Sequence, residues 1–229
     1  MRSRGRRSTR YSTALAAACF ALALAACQEA ETAPPEPAAR AEAASPVVLF
    51  LGTSLTAGYG LPAEDAFPAL VQERIDEVGL DYRVVNAGVS GDTSAGGLRR
   101  IGWLLRLPVA VLVLELGAND MLRGLDVAAL RRNLQEVVDR TRAAYPEARL
   151  LVVGMRAARN LGPRYVGAFE ATFPWLADEN GGALVPFILE GVAADPSLNQ
   201  ADGIHPTAEG HRRIAENLWG ALEPLLRGG

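Results

Sequence analysis

VAVLVLELGAND, Val109 to Asp120, decides the fold. From Val109 to Leu116 the run is almost wholly aliphatic, without the alternation that a strand with one wet face would show, so it is expected to be buried on both sides. A strand buried in this way needs helices above and below it, and the flanking sequence supplies them. Working outward, Ser94 to Leu105 reads as a helix, and Val127 to Ala144 places Leu130, Leu134, Val137 and Val138 at helical spacing. Further strands are predicted at Val47 to Leu51, Tyr82 to Val85, Leu150 to Val153 and Ala183 to Val185. Further helices are predicted at Ala66 to Val78, around Tyr165 to Ala177, and from Thr207 to Leu226. Strands alternating with helices imply a parallel sheet in a three-layer α/β/α sandwich. In such sheets sites form beyond the carboxyl ends of the strands.

The 229-residue chain is 49% hydrophobic and 21% charged, which fits one globular domain and an unstructured tail. The tail is at the front. Met1 to Arg10 carries five arginines, and Ala14 to Cys27 is a 14-residue stretch without charge or hydroxyl, short for a bilayer span and suited to an export signal. Leu24, Ala25, Ala26 and Cys27 resemble a bacterial lipobox, which gives a signal peptide over 1–26 and a lipidated Cys27 as the new N-terminus. Ordinary cleavage after Ala25 is the alternative, and it would give a soluble periplasmic protein. Cys19 and Cys27 are the only cysteines, so a chain starting at Cys27 forms no internal disulfide, and an acyl anchor gives the remaining thiol a use. Gln28 rather than aspartate follows it, which by the sorting pattern of such lipoproteins points to the outer membrane, facing the periplasm. Residues 27–46 read as the lipidated cysteine and a tether rich in Ala, Glu and Pro, and residues 47–229 as the folded domain. Without residues 1–26 the chain has 18 basic and 26 acidic residues, a formal charge of −8, so nucleic acid is not an expected partner. A monomer is expected.

Four short blocks supply the chemistry: GTSL at Gly52 to Leu55, NAGVSGD at Asn86 to Asp92, GAND at Gly117 to Asp120, and DGIHP at Asp202 to Pro206. Ser54 follows the first strand at once, and a serine hydroxyl is a poor nucleophile until a base takes its proton. The chain has two histidines, and only His205 has a carboxylate, Asp202, close enough in a loop to hold its imidazole. His211, among Arg212, Arg213 and Glu216, is expected to be a solvated surface residue. Gly91 N–H, the Asn119 side-chain amide and the Ser54 N–H are candidate donors to an oxyanion. Ser90 and Ser94 do not follow a strand directly and are weaker candidates for the nucleophile. The GxSxG elbow is absent because Thr56 stands at its second glycine, and neither a P-loop lysine nor a GxGxxG fingerprint occurs. With two histidines and no HExxH or CxxC, no metal is expected.

These four blocks, in this order, resemble the SGNH, or GDSL-type, hydrolases. The further stretches LELGANDMLRGLD, GPRYVGAFEATFPWLA and VPFILEGV look like the bacterial subfamily of periplasmic arylesterases, acyl-CoA thioesterases and lysophospholipases. The resemblance implies a five-stranded flavodoxin-like sheet and no cofactor. It gives Ser54, Asp202 and His205 as a triad with Ser54, Gly91 and Asn119 as the oxyanion hole, acting on esters or thioesters of medium or long acyl chains. By the same resemblance Met121, Leu122 and Leu125 should form a mobile rim over the acyl pocket, with residues 157–163 as its other wall. One position departs from the pattern. The usual motif has aspartate before the nucleophile, and here Thr53 stands there, removing a negative charge expected near His205. A carbohydrate O-acetylesterase is an alternative reading, and a catalytically silent envelope-binding lipoprotein is another.

Overall fold

The computed structural model describes residues 45–228; the predicted leader, Cys27 and most of the tether lie outside them. In chain order the elements are β1 Val47–Gly52, α1 Ser54–Ala57, α2 Phe67–Glu77, β2 Arg83–Gly88, α3 Ser94–Leu104, β3 Val109–Glu115, α4 Ala118–Leu122 and α5 Val127–Ala144. They continue with β4 Arg149–Val153, α6 Pro163–Glu170, α7 Thr172–Glu179, β5 Ala183–Val185 and α8 Ala208–Leu226. The strands form one parallel five-stranded sheet in the order β2-β1-β3-β4-β5. The expected α/β architecture is therefore present.

Successive side chains on a strand point to opposite faces, and the core divides accordingly. Val47, Leu49 and Leu51 of β1, Leu112 and Leu114 of β3, and Leu150 and Val152 of β4 pack with α3, α5 and the aromatic pair Phe169 and Phe173. Their neighbours Val48, Phe50, Val111, Val113, Leu151 and Val153 pack with α2 and α8. Each such side chain contributes about 1.5–3 kcal/mol on full burial. Asp126, Thr93 and Thr207 start α5, α3 and α8 by accepting hydrogen bonds from first-turn backbone N–H groups. Among the described residues no helix is long and apolar enough to cross a membrane.

The short helices α1 and α4 are not among the predicted elements, and two predicted elements differ from the expectation. The stretch from Tyr165 to Ala177 is not one helix but two, α6 and α7, meeting at Ala171. Pro174 fits the break: it has no N–H to donate to the Glu170 carbonyl, and proline is favoured in the first turn of a new helix. β2 runs three residues further than expected, to Gly88, because it stays paired with β1 to that point. Gly52 thereby lies level with Gly88 on one side and Glu115 on the other, so three strands end at one edge and their loops meet there.

Candidate active site

Ser54 is the first residue of α1, so its backbone N–H has no acceptor inside the helix. The turn into this helix closes over the end of β3. The wholly buried Glu115 carboxylate accepts from the Thr53 N–H at 2.8 Å and from the Thr56 hydroxyl at 2.7 Å. It also accepts from the Thr53 hydroxyl at 3.0 Å and, more weakly, from the Thr56 N–H at 3.3 Å. Gly52 must be glycine here, since a Cβ would overlap Thr56 Oγ1 and come within 2.6 Å of Glu115 Oε2. Burial pushes the Glu115 carboxyl above the usual carboxylate range, against the opposing pull of these hydrogen bonds.

The loop between β5 and α8 brings the second half of the site. His205 Nε2 stands 3.0 Å from Ser54 Oγ, and His205 Nδ1 stands 2.6 Å from Asp202 Oδ2. The other Asp202 oxygen accepts from the Ile204 and His205 N–H groups at 2.9 and 3.0 Å, an Asx turn that fixes the carboxylate from its own loop. The His205 side chain and these N–H groups together hold the Asp202 carboxyl down at about 2, so it is ionised at neutral pH. Tyr59 lays its ring beside the imidazole, with centroids 4.5 Å apart. Gln200 Nε2 donates to the Tyr59 and Pro206 carbonyls at 2.7 and 2.9 Å, stapling the turn after α1 to the histidine loop.

The candidate donors come from the segments that follow β2 and β3. Gly91 adopts φ +78°, a conformation suited to glycine, and Arg123 Nη2 holds its carbonyl at 2.7 Å. One N–H of the Asn119 amide donates to the Asp92 carbonyl at 2.9 Å, which orients the group and leaves its second N–H for the cavity. Arg100 pairs with the Asp92 carboxylate at 2.7 Å and donates to the Gly52 carbonyl at 2.9 Å, joining the glycine turn to the end of β1. Ser54, Ser90, Gly91, Asn119 and His205 all line one cavity of about 390 Å³. Its walls are Leu55, Tyr59, Met121, Leu122, Met155, Phe187, Ile188, Leu189 and Ile204, with Arg156 at one side.

Met121 and Leu122 thus stand where the sequence placed them. Leu125 does not. It lines a separate depression with Asp126 and Tyr165, whose hydroxyl donates to the Leu125 carbonyl, because the chain turns at Gly124 after α4. The second wall is formed by Met155 and Phe187 to Leu189 at the ends of β4 and β5, and not by residues 157–163, which run on toward α6. Ser94 is buried and donates to Asp120 at 2.6 Å, turned into a structural network. Thr53 is buried as well and is directed at Glu115, so the charge missing from this position is one that would face Glu115 and not His205. His211 is a further correction: it is only 1% exposed, accepts from the Phe67 N–H through Nδ1 at 3.1 Å and stacks on the Phe67 ring. It shares a helical face with Ile214, Leu218 and Leu222, and that face is buried against the sheet.

The sequence pattern that defines the GDSL-like Lipase/Acylhydrolase family matches residues 50–213, which include every residue of this site. The chain belongs to this family. Esterase TesA of Pseudomonas aeruginosa is 45% identical over 186 residues, spanning 81% of this chain and 92% of that protein. Thioesterase 1/protease 1/lysophospholipase L1 of Escherichia coli K12 is 40% identical over 186 residues, spanning 80% and 86%. The crystal structure of TesA superposes with a TM-score of 0.74 at 44% identity, covering 78% of this chain and 99% of that one. This GDSL-like hydrolase is a serine ester hydrolase with the SGNH fold.

Proposed function

We propose that this GDSL-like hydrolase cleaves esters and thioesters of medium or long acyl chains through a covalent acyl-enzyme, with Ser54 as nucleophile. The observation behind this reading is the hydrogen-bonded line Ser54–His205–Asp202 opening into an apolar cavity. His205 Nε2 takes the Ser54 proton as Oγ attacks the acyl carbonyl carbon, and the Ser54, Gly91 and Asn119 N–H groups receive the oxyanion. The imidazolium returns that proton to the leaving alcohol or thiol as the carbonyl re-forms. Water then repeats the sequence on the acyl-Ser54 ester, releasing the carboxylic acid and free serine. The apolar wall from Met155 to Leu189 favours an alkyl chain over the acetyl group of a carbohydrate O-acetylesterase, and the relatives named as thioesterase and lysophospholipase support thioesters and lysophospholipids as substrates.

An acyl-length series of p-nitrophenyl esters, with Ser54→Ala in parallel, tests the reading. Octanoyl and longer esters are expected to have the higher kcat/KM, and Ser54→Ala is expected to lose turnover while keeping its fold. An acetyl optimum would transfer the assignment to the O-acetylesterase reading, and turnover retained by Ser54→Ala would remove the proposed nucleophile. The lipobox-like stretch Leu24 to Cys27, with Gln28 after it, supports an outer-membrane lipoprotein facing the periplasm. Its test is incorporation of labelled palmitate that Cys27→Ala abolishes; release of unlabelled soluble protein into the periplasm would contradict it.

A further inference from the structure

We propose that Glu115 is a positioning residue: its carboxylate caps the nucleophile helix α1 from beneath and so fixes where Ser54 Oγ and the Ser54 N–H stand. The proposal rests on Ser54 being the nucleophile. A helix of four residues cannot hold itself together, because one turn fixes several dihedrals for very few hydrogen bonds. Its N-cap residue, Thr53, makes no side-chain bond to the helix N–H groups that Ser or Thr ordinarily caps. The Thr53 hydroxyl points down to Glu115, and the same carboxylate receives the Thr53 and Thr56 N–H groups on either side of Ser54. The cap is therefore supplied by another strand.

That strand matters for the chemistry. Glu115 ends β3, and four residues later the same chain presents Asn119 to the cavity. The carboxylate thus ties the turn bearing Ser54 to the strand leading into the Asn119 donor, setting the distance between two of the proposed oxyanion donors. Glu115 is fully buried, and among the described residues its hydrogen-bond partners are those of Thr53 and Thr56, with no arginine paired to it. A carboxylate in such a place is costly. An apolar side chain would fill the space more cheaply, but it would leave the N–H groups flanking the nucleophile unpaired. The part Glu115 plays is thus acceptor geometry at the turn, and glutamine, with one acceptor oxygen, should restore most of it.

The test compares full-length wild type, Glu115→Ala, Glu115→Gln and Thr56→Val by the rate of fluorophosphonate labelling and by kcat and KM for a p-nitrophenyl ester. Glu115→Ala is expected to lower the labelling rate and kcat by on the order of 10²-fold, as a misplaced reacting group does, with KM within about threefold. Glu115→Gln is expected to recover to within about tenfold of wild type. Thr56→Val, which keeps the carboxylate, decides the matter if the alanine variant does not fold: a fall of roughly tenfold in labelling rate at unchanged KM is expected. Unchanged rates in a folded Glu115→Ala, or in Thr56→Val, would overturn the proposal. So would a glutamine variant as impaired as alanine, since charge and not acceptor geometry would then be the requirement. A wild type that neither labels nor turns over would instead reject Ser54 as nucleophile, and this proposal with it.

Discussion

His205 and His211 are six residues apart, and the structure puts them to opposite uses. His205 sits in a loop with a carboxylate on one nitrogen and the Ser54 hydroxyl on the other. His211 sits one turn into α8, closed in by Phe67 and the apolar face of its own helix, where burial lowers its pKa to about 4 against the opposing influence of Asp65. The first histidine joins the hydrogen-bonded line to Ser54, and the second packs in the core. Residue type alone does not separate them. What separates them is what their nitrogens meet: a carboxylate and the Ser54 hydroxyl at His205, the Phe67 backbone N–H at His211.

Breaking the functional side of this pair should have the largest effect. His205→Asn is expected to lower kcat by on the order of 10⁴ to 10⁶, while thermal unfolding moves little, as for a substitution outside the core. His211→Ala should do the reverse. Removing a buried ring and orphaning the Phe67 N–H should cost about 2–4 kcal/mol in a denaturant titration, with kcat of the folded protein within a few-fold of wild type. A milder change, His211→Asn, keeps an acceptor for Phe67 and removes the titration. Because the folded pKa of His211 lies near 4 and the ordinary value is 6.5, the unfolded chain binds the extra proton between those values. Wild-type stability should therefore fall as pH drops from 6.5 to 4, and His211→Asn should show a shallower fall over that window in melting-temperature measurements. Equal slopes would mean that His211 does not titrate as its burial implies.

The fold was legible because parallel, doubly covered strands announce themselves as aliphatic runs, and the helices between them by their spacing. The line Ser54–His205–Asp202 was legible because the chain offers one histidine with a nearby carboxylate and a serine just after the first predicted strand. Ser90, discounted for not following a strand, stands equally close behind β2, which runs on to Gly88, and what separates the two serines is that His205 reaches Ser54. His211 was misread from its immediate neighbours, Arg212, Arg213 and Glu216, although its spacing to Ile214, Leu218 and Leu222 marks the buried face of α8. Glu115 stood in plain view as the one charge within an otherwise aliphatic run, and a carboxylate at the end of a doubly buried strand is itself the signal of a specific polar partner. The cavity wall from Met155 and Phe187 to Leu189 was not legible, since it joins segments far apart in sequence whose apolar residues look like any core. The break between α6 and α7 could have been read from Pro174.

Intact-mass analysis after fluorophosphonate treatment, followed by peptide mapping, addresses the central claim most directly. One adduct is expected on the wild-type protein, located at Ser54, with none on His205→Asn over the same interval. An unlabelled wild type, or an adduct on Ser90 in place of Ser54, would contradict the account.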